Sequence, residues 1–404
     1  MSVNADAAPE VSGEVATIGA VGVAHFTSHM LQLALAPLFL FMRDDLGTSF
    51  TELGLVLSVY FLCSAAGQVM AGVLVDRFGA DRLLLSGMIL QGGATAAMGF
   101  APHYEMLLPL AALAGFGNSV YHPADLSILS HKVAPQRLGR AFATHVICGN
   151  IGFALSPLIS GALGAIFGWR TALTTMGLGA LLVVAGLALF RALLHCAPAP
   201  AAAAGTPHAA SPLTFRTVLT TPVVIVAFLY FLLTSLSLNG VQSFSIVALQ
   251  EGFGASLMLA TLAVTLYQLG SAAGVAIGGH IADRAENHHL IAMSGLAVSA
   301  VLAVLAAVMH VPPEVTVAFI AAVGFAIGIT MPSRDVLVRR TAPAGATGKV
   351  FGVVYSGYDV GGLVGPIVYG MILDHHAPRL VYLAAAVPLA LAVGTAFGVR
   401  RRPA

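Results

Sequence analysis

Two pairs of ionisable side chains stand inside long apolar runs of this sequence. His25 and His29 are four residues apart, and His122 and Asp125 are three apart, so each pair shares one face of a helix. Histidine titrates near neutral pH, and a carboxylate beside it can exchange a proton with it. These residue types at these spacings predict a site that takes up and releases protons. Imidazole and carboxylate are also ligands for transition metals.

A second set of polar residues lies in similar runs further along the chain. Asp359 falls near the middle of its run, where an idle carboxylate is costly, so we expect it to take part in proton transfer. Arg334 stands 209 residues after Asp125, and its planar guanidinium suits a carboxylate or phosphonate. Gln32 and Asn239 can orient a substrate through neutral hydrogen bonds.

These residues form the candidate site that the sequence predicts. The candidates for substrate binding are His25, His29, Gln32, His122, Asp125, Asn239, Gln242, Arg334 and Tyr358. The candidates for proton coupling are Asp125, Asp359, His29 and His122. The alternative for each is a structural role, either as a hydrogen bond between helices or, for Arg334, as a pair with Asp335 or a side chain that reaches the helix end. The prediction includes no metal ion and no other cofactor.

The composition places this chain in lipid. Of its 404 residues, 58% are hydrophobic and only 9% are charged, which leaves too little polar surface for a water-soluble globule of this size. The formal net charge is +1 and no basic block alternates with aromatic residues, so nucleic acid is not an expected partner. The cysteines Cys63, Cys148 and Cys196 lie too far apart in sequence for a disulfide framework or a C-x-x-C metal site.

Twelve apolar runs are long enough to cross about 30 Å of hydrocarbon as helices. Lys and Arg are concentrated in every second loop, and only Arg43, Arg170 and Arg379 fall in the loops between. Because loops rich in Lys and Arg stay on the cytoplasmic side, this distribution predicts that both termini are cytoplasmic. We therefore expect a multi-pass protein of the bacterial inner (plasma) membrane. The runs lie near 17–41, 51–75, 82–101, 105–130, 138–168, 170–190, 217–247, 256–281, 289–310, 314–338, 347–373 and 379–399.

The runs fall into two sets of six, separated by a stretch rich in Ala and Pro. The predicted fold class is an all-α membrane protein with twelve transmembrane helices in two pseudo-symmetric six-helix bundles. The predicted domains are a cytoplasmic tail at 1–16, a bundle at 17–194, a cytoplasmic linker at 195–214, a second bundle at 215–399 and a cytoplasmic tail at 400–404. We expect a monomer whose partners are membrane lipid, protons and a small-molecule substrate.

The two halves carry an internal repeat. Small residues recur by chance in membrane helices, because glycine and alanine are favoured at helix contacts. Chance does not readily repeat Asp-Arg pairs and prolines, so the match indicates two related halves. At offsets of 207 and 209 residues the matches include Ser64 to Gly67 with Ser271 to Gly274, Gly72 with Gly279, Asp76-Arg77 with Asp283-Arg284, Pro123 with Pro332, and Pro157 with Pro366.

The loop after the second run, "GVLVDRFGADR", carries the most specific motif. It resembles the major facilitator superfamily, whose G-x-x-x-D-R-x-G-x-x-R pattern it matches at Gly72, Asp76, Arg77, Gly79 and Arg82. A glycine there lets two helices approach closely, and the charges can form a cluster that holds one conformation and breaks in another. The copy in the second half, "GHIADRAENHH", predicts a weaker lock. The predicted gate residues are Gly72, Asp76, Arg77, Arg82, Asp283 and Arg284.

Three segments are similar to the fosmidomycin-resistance group of exporters within that superfamily. They are "AHF" at 24–26, "YHPAD" at 121–125 and "GNIGFALSP" at 149–157. The resemblance implies a secondary active transporter that works by alternating access and exports a small anionic or zwitterionic compound against proton entry. It also implies that the first, fourth, seventh and tenth helices line a central cavity.

Two other functions compete with this one. A transition-metal exporter would use the His and Asp residues of the first and fourth helices as ligands. Direct binding of nickel, zinc or iron to purified protein would distinguish it from the proton-coupled exporter. A membrane enzyme or sensor is not supported, because the sequence has no phosphate-cradling loop and no nucleophile elbow. The sequence therefore predicts a transporter and not an enzyme.

Overall fold

The computed structural model describes residues 11–196, 220–341 and 347–398. Within these ranges the chain forms membrane helices, which we number α1 to α12, joined by short turns. Nine of them, among the described residues, are long and apolar enough to span a membrane by length and composition. The all-helical fold with twelve transmembrane helices is the one predicted.

The first half contains α1 at Val11–Gln32 with a second piece at Phe39–Leu46, α2 at Phe50–Phe78, α3 at Ala80–Met98, α4 at Leu107–Asn118 and Tyr121–Lys132, α5 at Leu138–Phe167 and α6 at Trp169–Leu189. The second half contains α7 at Pro222–Asn239 with a second piece at Ser245–Phe253, α8 at Leu257–Arg284, α9 at His288–Val308, α10 at Pro313–Thr341, α11 at Thr347–Asp374 and α12 at Leu380–Gly398. Helix pairs pack alike in the two halves: α1 on α5, α2 on α4 and α3 on α6 match α7 on α11, α8 on α10 and α9 on α12. The repeat in the sequence is therefore a repeat in the packing.

The first helix of each half is interrupted, where the sequence predicts continuous helices at 17–41 and 217–247. In α1 the break is a 3₁₀ turn at Ala36–Leu38 that contains Pro37. In α7 it is a π-helical segment at Gly240–Phe244, where Gly240 packs so closely on the ring of Tyr369 that a Cβ atom would overlap it. The two breaks lie at equivalent places in the repeat.

The predicted tail at 1–16 differs from the structure at its end. Residues 1–10 lie outside the described residues, but 11–16 form the first turns of α1. Glu14 there is buried, accepts a hydrogen bond from Arg137 Nε at 2.5 Å and lies 3.3 Å from the amide of Ala134. This pair binds the start of α1 to the start of α5. Of the predicted linker at 195–214 only 195–196 are described, and the tail at 400–404 lies outside the described residues.

The described contacts between α2 and α11 lie toward the predicted outer end of the bundle. There, α2 packs against α11 through Gly54 and Gly370, each too close to the opposite backbone to carry a Cβ atom. At the other end of α2, a Cβ atom at Gly72 would meet no described atom within 4 Å, and Asp76 is exposed. Close packing of the two halves is therefore seen, among the described residues, at the predicted outer end.

Candidate functional site

A cluster of histidines surrounds one carboxylate in the first half. Asp125 on α4 is fully buried, and its Oδ2 atom lies 3.1 Å from Nε2 of His145 on α5 and 3.4 Å from Nδ1 of His25 on α1. The rings of His25 and His145 stack with centroids 3.6 Å apart, and the ring of His29 lies 4.3 Å from that of His25. The other carboxylate oxygen, Oδ1, has no hydrogen-bond partner among the described residues.

The cluster has a buried part and an exposed part. His25, Asp125 and His145 are buried, whereas His122, with its ring centroid 5.0 Å from that of His25, is exposed. A proton that reaches His122 is therefore one ring away from the buried groups. By distance alone, the nitrogens of His25, His122 and His145 could hold a metal ion, since they lie within 4.8 Å of one another.

Glycine on α5 brings these helices together. A Cβ atom at Gly149 would lie 2.7 Å from ring atoms of both His25 and His29, so any larger residue would push α5 away from α1. The sequence predicts His25, His29, His122 and Asp125 but leaves His145 out of the site. The signal for His145 is its place four residues before Gly149, which puts both residues on the face of α5 that meets α1.

Arg334 is the centre of a second cluster, in the other half. It is 8% exposed, its Nε donates to Asp335 at 2.9 Å and its Nη1 donates to the hydroxyl of Tyr358 at 2.5 Å. The guanidinium carbon lies 4.6 Å from the ring centroid of Phe231, in cation–π contact. A pairing with Asp335 is one of the alternatives that the sequence leaves open, and the structure shows that pairing. Asp125 is not a partner of Arg334 in this conformation.

The predicted neutral residues are not brought into one site. Asn239 donates to the carbonyl of Ser235 on its own helix at 2.9 Å. Gln242 donates to Gln268 of α8 at 3.1 Å, which is a bond between helices. Gln32 lies half-buried inside the first half, in a small cavity that it shares with residues of α2, α3 and α4.

Asp359 stands apart from both clusters. Its side chain is half-buried and makes no hydrogen bond or ion pair with the residues that the structure describes. It lies on α11 three residues before Gly362, which packs against Phe61 of α2. Asp359 is thus one helical turn away from a contact between α2 and α11.

The predicted gate residues form no charge cluster with one another among the described residues. Asp76, Arg77, Arg82, Asp283 and Arg284 are all exposed, and none of them forms an ion pair with a described residue. The buried acid of this loop is instead Asp81, which accepts a hydrogen bond from Arg191 at 2.6 Å and lies 3.3 Å from His195. Asp81 is not among the predicted gate residues, because its position is not specified by the motif.

The comparison with known families decides the identity of this fold. The chain matches the model of the Major Facilitator Superfamily over residues 21–261 and 234–404. The chain belongs to the major facilitator superfamily. Members of this superfamily are carriers and not enzymes, so this chain is a multi-pass membrane transporter.

Individual members of the superfamily match different lengths of this chain. The chain is 26% identical to the fosmidomycin resistance protein of Escherichia coli (strain K12) over 382 residues, which are 92% of this chain and 90% of the relative. It is 32% identical to the 4-hydroxybenzoate transporter PcaK of Pseudomonas aeruginosa (strain PAO1), but over 151 residues, 37% of this chain and 33% of the relative. The first likeness spans the whole fold and the second only part of it.

A solved structure with the same fold is a bacterial homologue of the human lysosomal transporter Spinster, in an inward-facing and occupied conformation. The TM-score is 0.77 at 16% identity, over 96% of this chain and 99% of that one. At this identity the likeness concerns the fold alone.

Proposed function

We propose that this transporter is a proton-coupled exporter of a small organic anion or zwitterion, working by alternating access. The observation that carries the proposal is the pair of buried clusters, one in each half. A carboxylate among histidines can bind a proton, and an arginine beside aromatic rings can bind an anion. Placing the two functions in different halves lets a movement of the halves couple them.

The proton step centres on Asp125. The titratable groups that face it are His25, His122 and His145, and His29 stands behind His25. Because these groups lie so close together, a proton that enters the cluster can be shared among them and need not belong to one residue. A proton that arrives while the site faces outside reduces the negative charge of the cluster, and its release on the other side restores that charge.

The anion step centres on Arg334. Its partner Asp335 has 45% of its side chain exposed, so that carboxylate can turn toward water when a substrate anion takes its place. Phe231 and Tyr358 then pack on the flat side of the guanidinium, which keeps it oriented. A monoanion, or a zwitterion whose cation stays near Asp335, preserves the charge balance of this site.

The names of the relatives support an organic substrate over a metal ion. One is a fosmidomycin resistance protein, which supports export, and another transports 4-hydroxybenzoate, an organic anion. A transition-metal exporter is for this reason not favoured, although the histidines lie close enough together to hold an ion. With basic residues gathered in alternate loops, we further propose the bacterial inner membrane, cytoplasmic termini and a monomeric carrier.

The proposal is tested in proteoliposomes with an imposed pH gradient, using fosmidomycin and 4-hydroxybenzoate as probes. The wild type should accumulate at least one of them against its gradient. Asp125→Asn should retain exchange of the probe but lose proton-driven accumulation, because an amide cannot release a proton. His131→Asn is the matched control, since His131 lies on the same helix but is exposed, and its one hydrogen bond among the described residues is to the carbonyl of Ser127, one turn earlier.

Three results would contradict the proposal. Accumulation by Asp125→Asn at the wild-type level would show that this carboxylate is structural. Accumulation that ignores the pH gradient would remove proton coupling altogether. Tight binding of nickel or zinc by the purified wild type, lost in His145→Asn, with no response to any organic anion, would favour the metal exporter.

A further inference from the structure

A network of polar side chains joins four helices inside the first half, and the transport chemistry above does not use it. Gln91 of α3 is fully buried, and its Nε2 donates to the hydroxyl of Tyr60 on α2 at 3.1 Å and to the carbonyl of Ser28 on α1 at 3.4 Å. The hydroxyl of Ser28 donates to Asn118 of α4 at 3.0 Å, and Asn118 donates to Ser64 of α2 at 2.9 Å. Polar groups at this depth in a membrane protein are costly unless they serve a function or bind helices together.

Tyr121 stands between this network and Asp125. It lies four residues after Gly117 and four before Asp125, so the three follow one side of α4. A Cβ atom at Gly117 would lie 2.9 Å from that of Gln91. The buried hydroxyl of Tyr121 is within electrostatic range of Tyr60 and Asp125. It has no hydrogen-bond partner among the described residues, and the same is true of Asp125 Oδ1 and Gln91 Oε1.

The other end of the network meets the small cavity that contains Gln32. Gln32 ends the first piece of α1 and Met98 ends α3, so the cavity lies toward the predicted outer end of the bundle. Tyr60 and Thr95 also line it, and the hydroxyl of Thr95 donates to the carbonyl of Gln91 at 2.8 Å. The cavity has room for about one water molecule and has polar side chains that could hold it.

The equivalent places in the second half show that the fold does not require these polar groups. Gly87 of α3 and Gly295 of α9 pack alike on the next helix of their halves, which sets an offset of 208 there, and the offset for α4 and α10 is 209. The equivalent residues are Ser299 for Gln91, Ala303 for Thr95, Ile327 for Asn118 and Thr330 for Tyr121. Ala303 and Ile327 have no polar side-chain atoms, so the network is not repeated at these places.

We propose that Tyr121 passes protons to Asp125 from a route that runs through the interior of the first half, from the cavity at Gln32 along the network of Gln91. A tyrosine hydroxyl both donates and accepts hydrogen bonds, so it can hand on a proton without a net change. The O–H bond of Tyr121 breaks as its proton joins Oδ1 of Asp125, and a new O–H bond forms with a proton from a water molecule that Gln91 Oε1 holds. The exposed His122, on the other side of the cluster, is the exit. The inference depends on the proton coupling proposed above.

The test compares two rates in proteoliposomes, with fosmidomycin or 4-hydroxybenzoate as the probe. Exchange of labelled for unlabelled probe needs no net proton movement, so Tyr121→Phe should leave the exchange rate unchanged. The same variant should slow accumulation driven by a pH gradient at least about tenfold, because the hydroxyl that hands on the proton is missing. Gln91→Met keeps the length of the side chain without its amide and should have the same two effects.

Tyr60→Phe and Tyr267→Phe form a matched pair of controls. The two tyrosines are 207 residues apart and equally placed, since the carbonyl of each lies against a glycine of the next-but-one helix in its half, Gly115 or Gly324. Tyr60 belongs to the network and Tyr267 is buried in the other half, so only Tyr60→Phe should slow accumulation.

Several results would overturn the route. They are accumulation at the wild-type rate in Tyr121→Phe and Gln91→Met, equal slowing by Tyr60→Phe and Tyr267→Phe, or a loss of exchange that matches the loss of accumulation. The last of these would show that the network only supports the packing of the helices. A wild type that exchanges the probe but does not accumulate it in a pH gradient would instead refute the proposed proton coupling, and the route with it.

Discussion

Replacement of Arg334 is the sharpest test of the anion site. Hydrogen bonds to a charged group contribute about 1.5–3 kcal/mol, which is about 10- to 150-fold in affinity. Arg334→Ala should therefore weaken binding of an anionic probe by at least about tenfold. Arg334→Lys keeps the charge but loses the planar fork, so it should retain part of the affinity. Arg334→Ala should also lower the free energy of unfolding by about 1–3 kcal/mol, because it removes the contact with Phe231 and the hydrogen bond to Tyr358.

The assay is calorimetric titration of purified protein with fosmidomycin or 4-hydroxybenzoate, whichever the wild type binds. Asp335→Asn should tighten binding, since it removes the carboxylate that competes for Arg334. Arg379→Ala is the control, because Arg379 also lies over a phenylalanine ring, at 4.5 Å from the centroid of Phe253, but on the outer surface of the same half. Wild-type affinity in Arg334→Ala, or equal losses in Arg334→Ala and Arg379→Ala, would refute the anion site.

Three further expectations can be checked independently. Asp359→Asn should keep substrate exchange and lose accumulation in a pH gradient, and unchanged accumulation would mean that Asp359 is structural. Gly370→Ala should weaken the packing of α2 on α11 at the outer end, because its Cβ atom would overlap the carbonyl of Phe50. Unchanged distances between spin labels on the two halves at that end would show that the helices adjust without cost. Cys196 should react slowly with maleimide at pH 7 and faster as the pH rises, since burial raises the pKa of its thiol above the ordinary value. A reaction rate equal to that of a free thiol would contradict this expectation.

The parts of the site that lie on one helix could be predicted from the sequence. The spacing of His25 and His29, and of His122 and Asp125, fixes which residues share a helix face. Their meeting depends on contacts between helices, which no local spacing encodes. His145 is an example. It contacts Asp125 of α4 only because α5 packs closely against α1 in the folded bundle.

Other differences have equally physical reasons. The break in α1 has a proline as its signal, but the π-helical segment of α7 follows from the fit of Gly240 against Tyr369, which only the packed structure shows. The gate motif predicts a charge cluster at Asp76 and Arg77, and neither residue forms an ion pair with a described residue. A motif describes a contact available to the chain, and the relative free energies of the states decide whether that contact is formed.

The ion pair between Arg43 and Glu251 at the outer end, where the two atoms lie 2.8 Å apart, has a consequence for the origin of the two halves. The glycines that end these two helix pieces are 207 residues apart, so Glu251 is the equivalent of Asp44 and not of Arg43. The arginine of one half therefore meets the acid that follows the equivalent of that arginine in the other half. Two identical halves related by a two-fold axis would make such an arginine–acid contact twice, once in each direction. The pair is thus compatible with an ancestor in which two copies of one half assembled as a dimer.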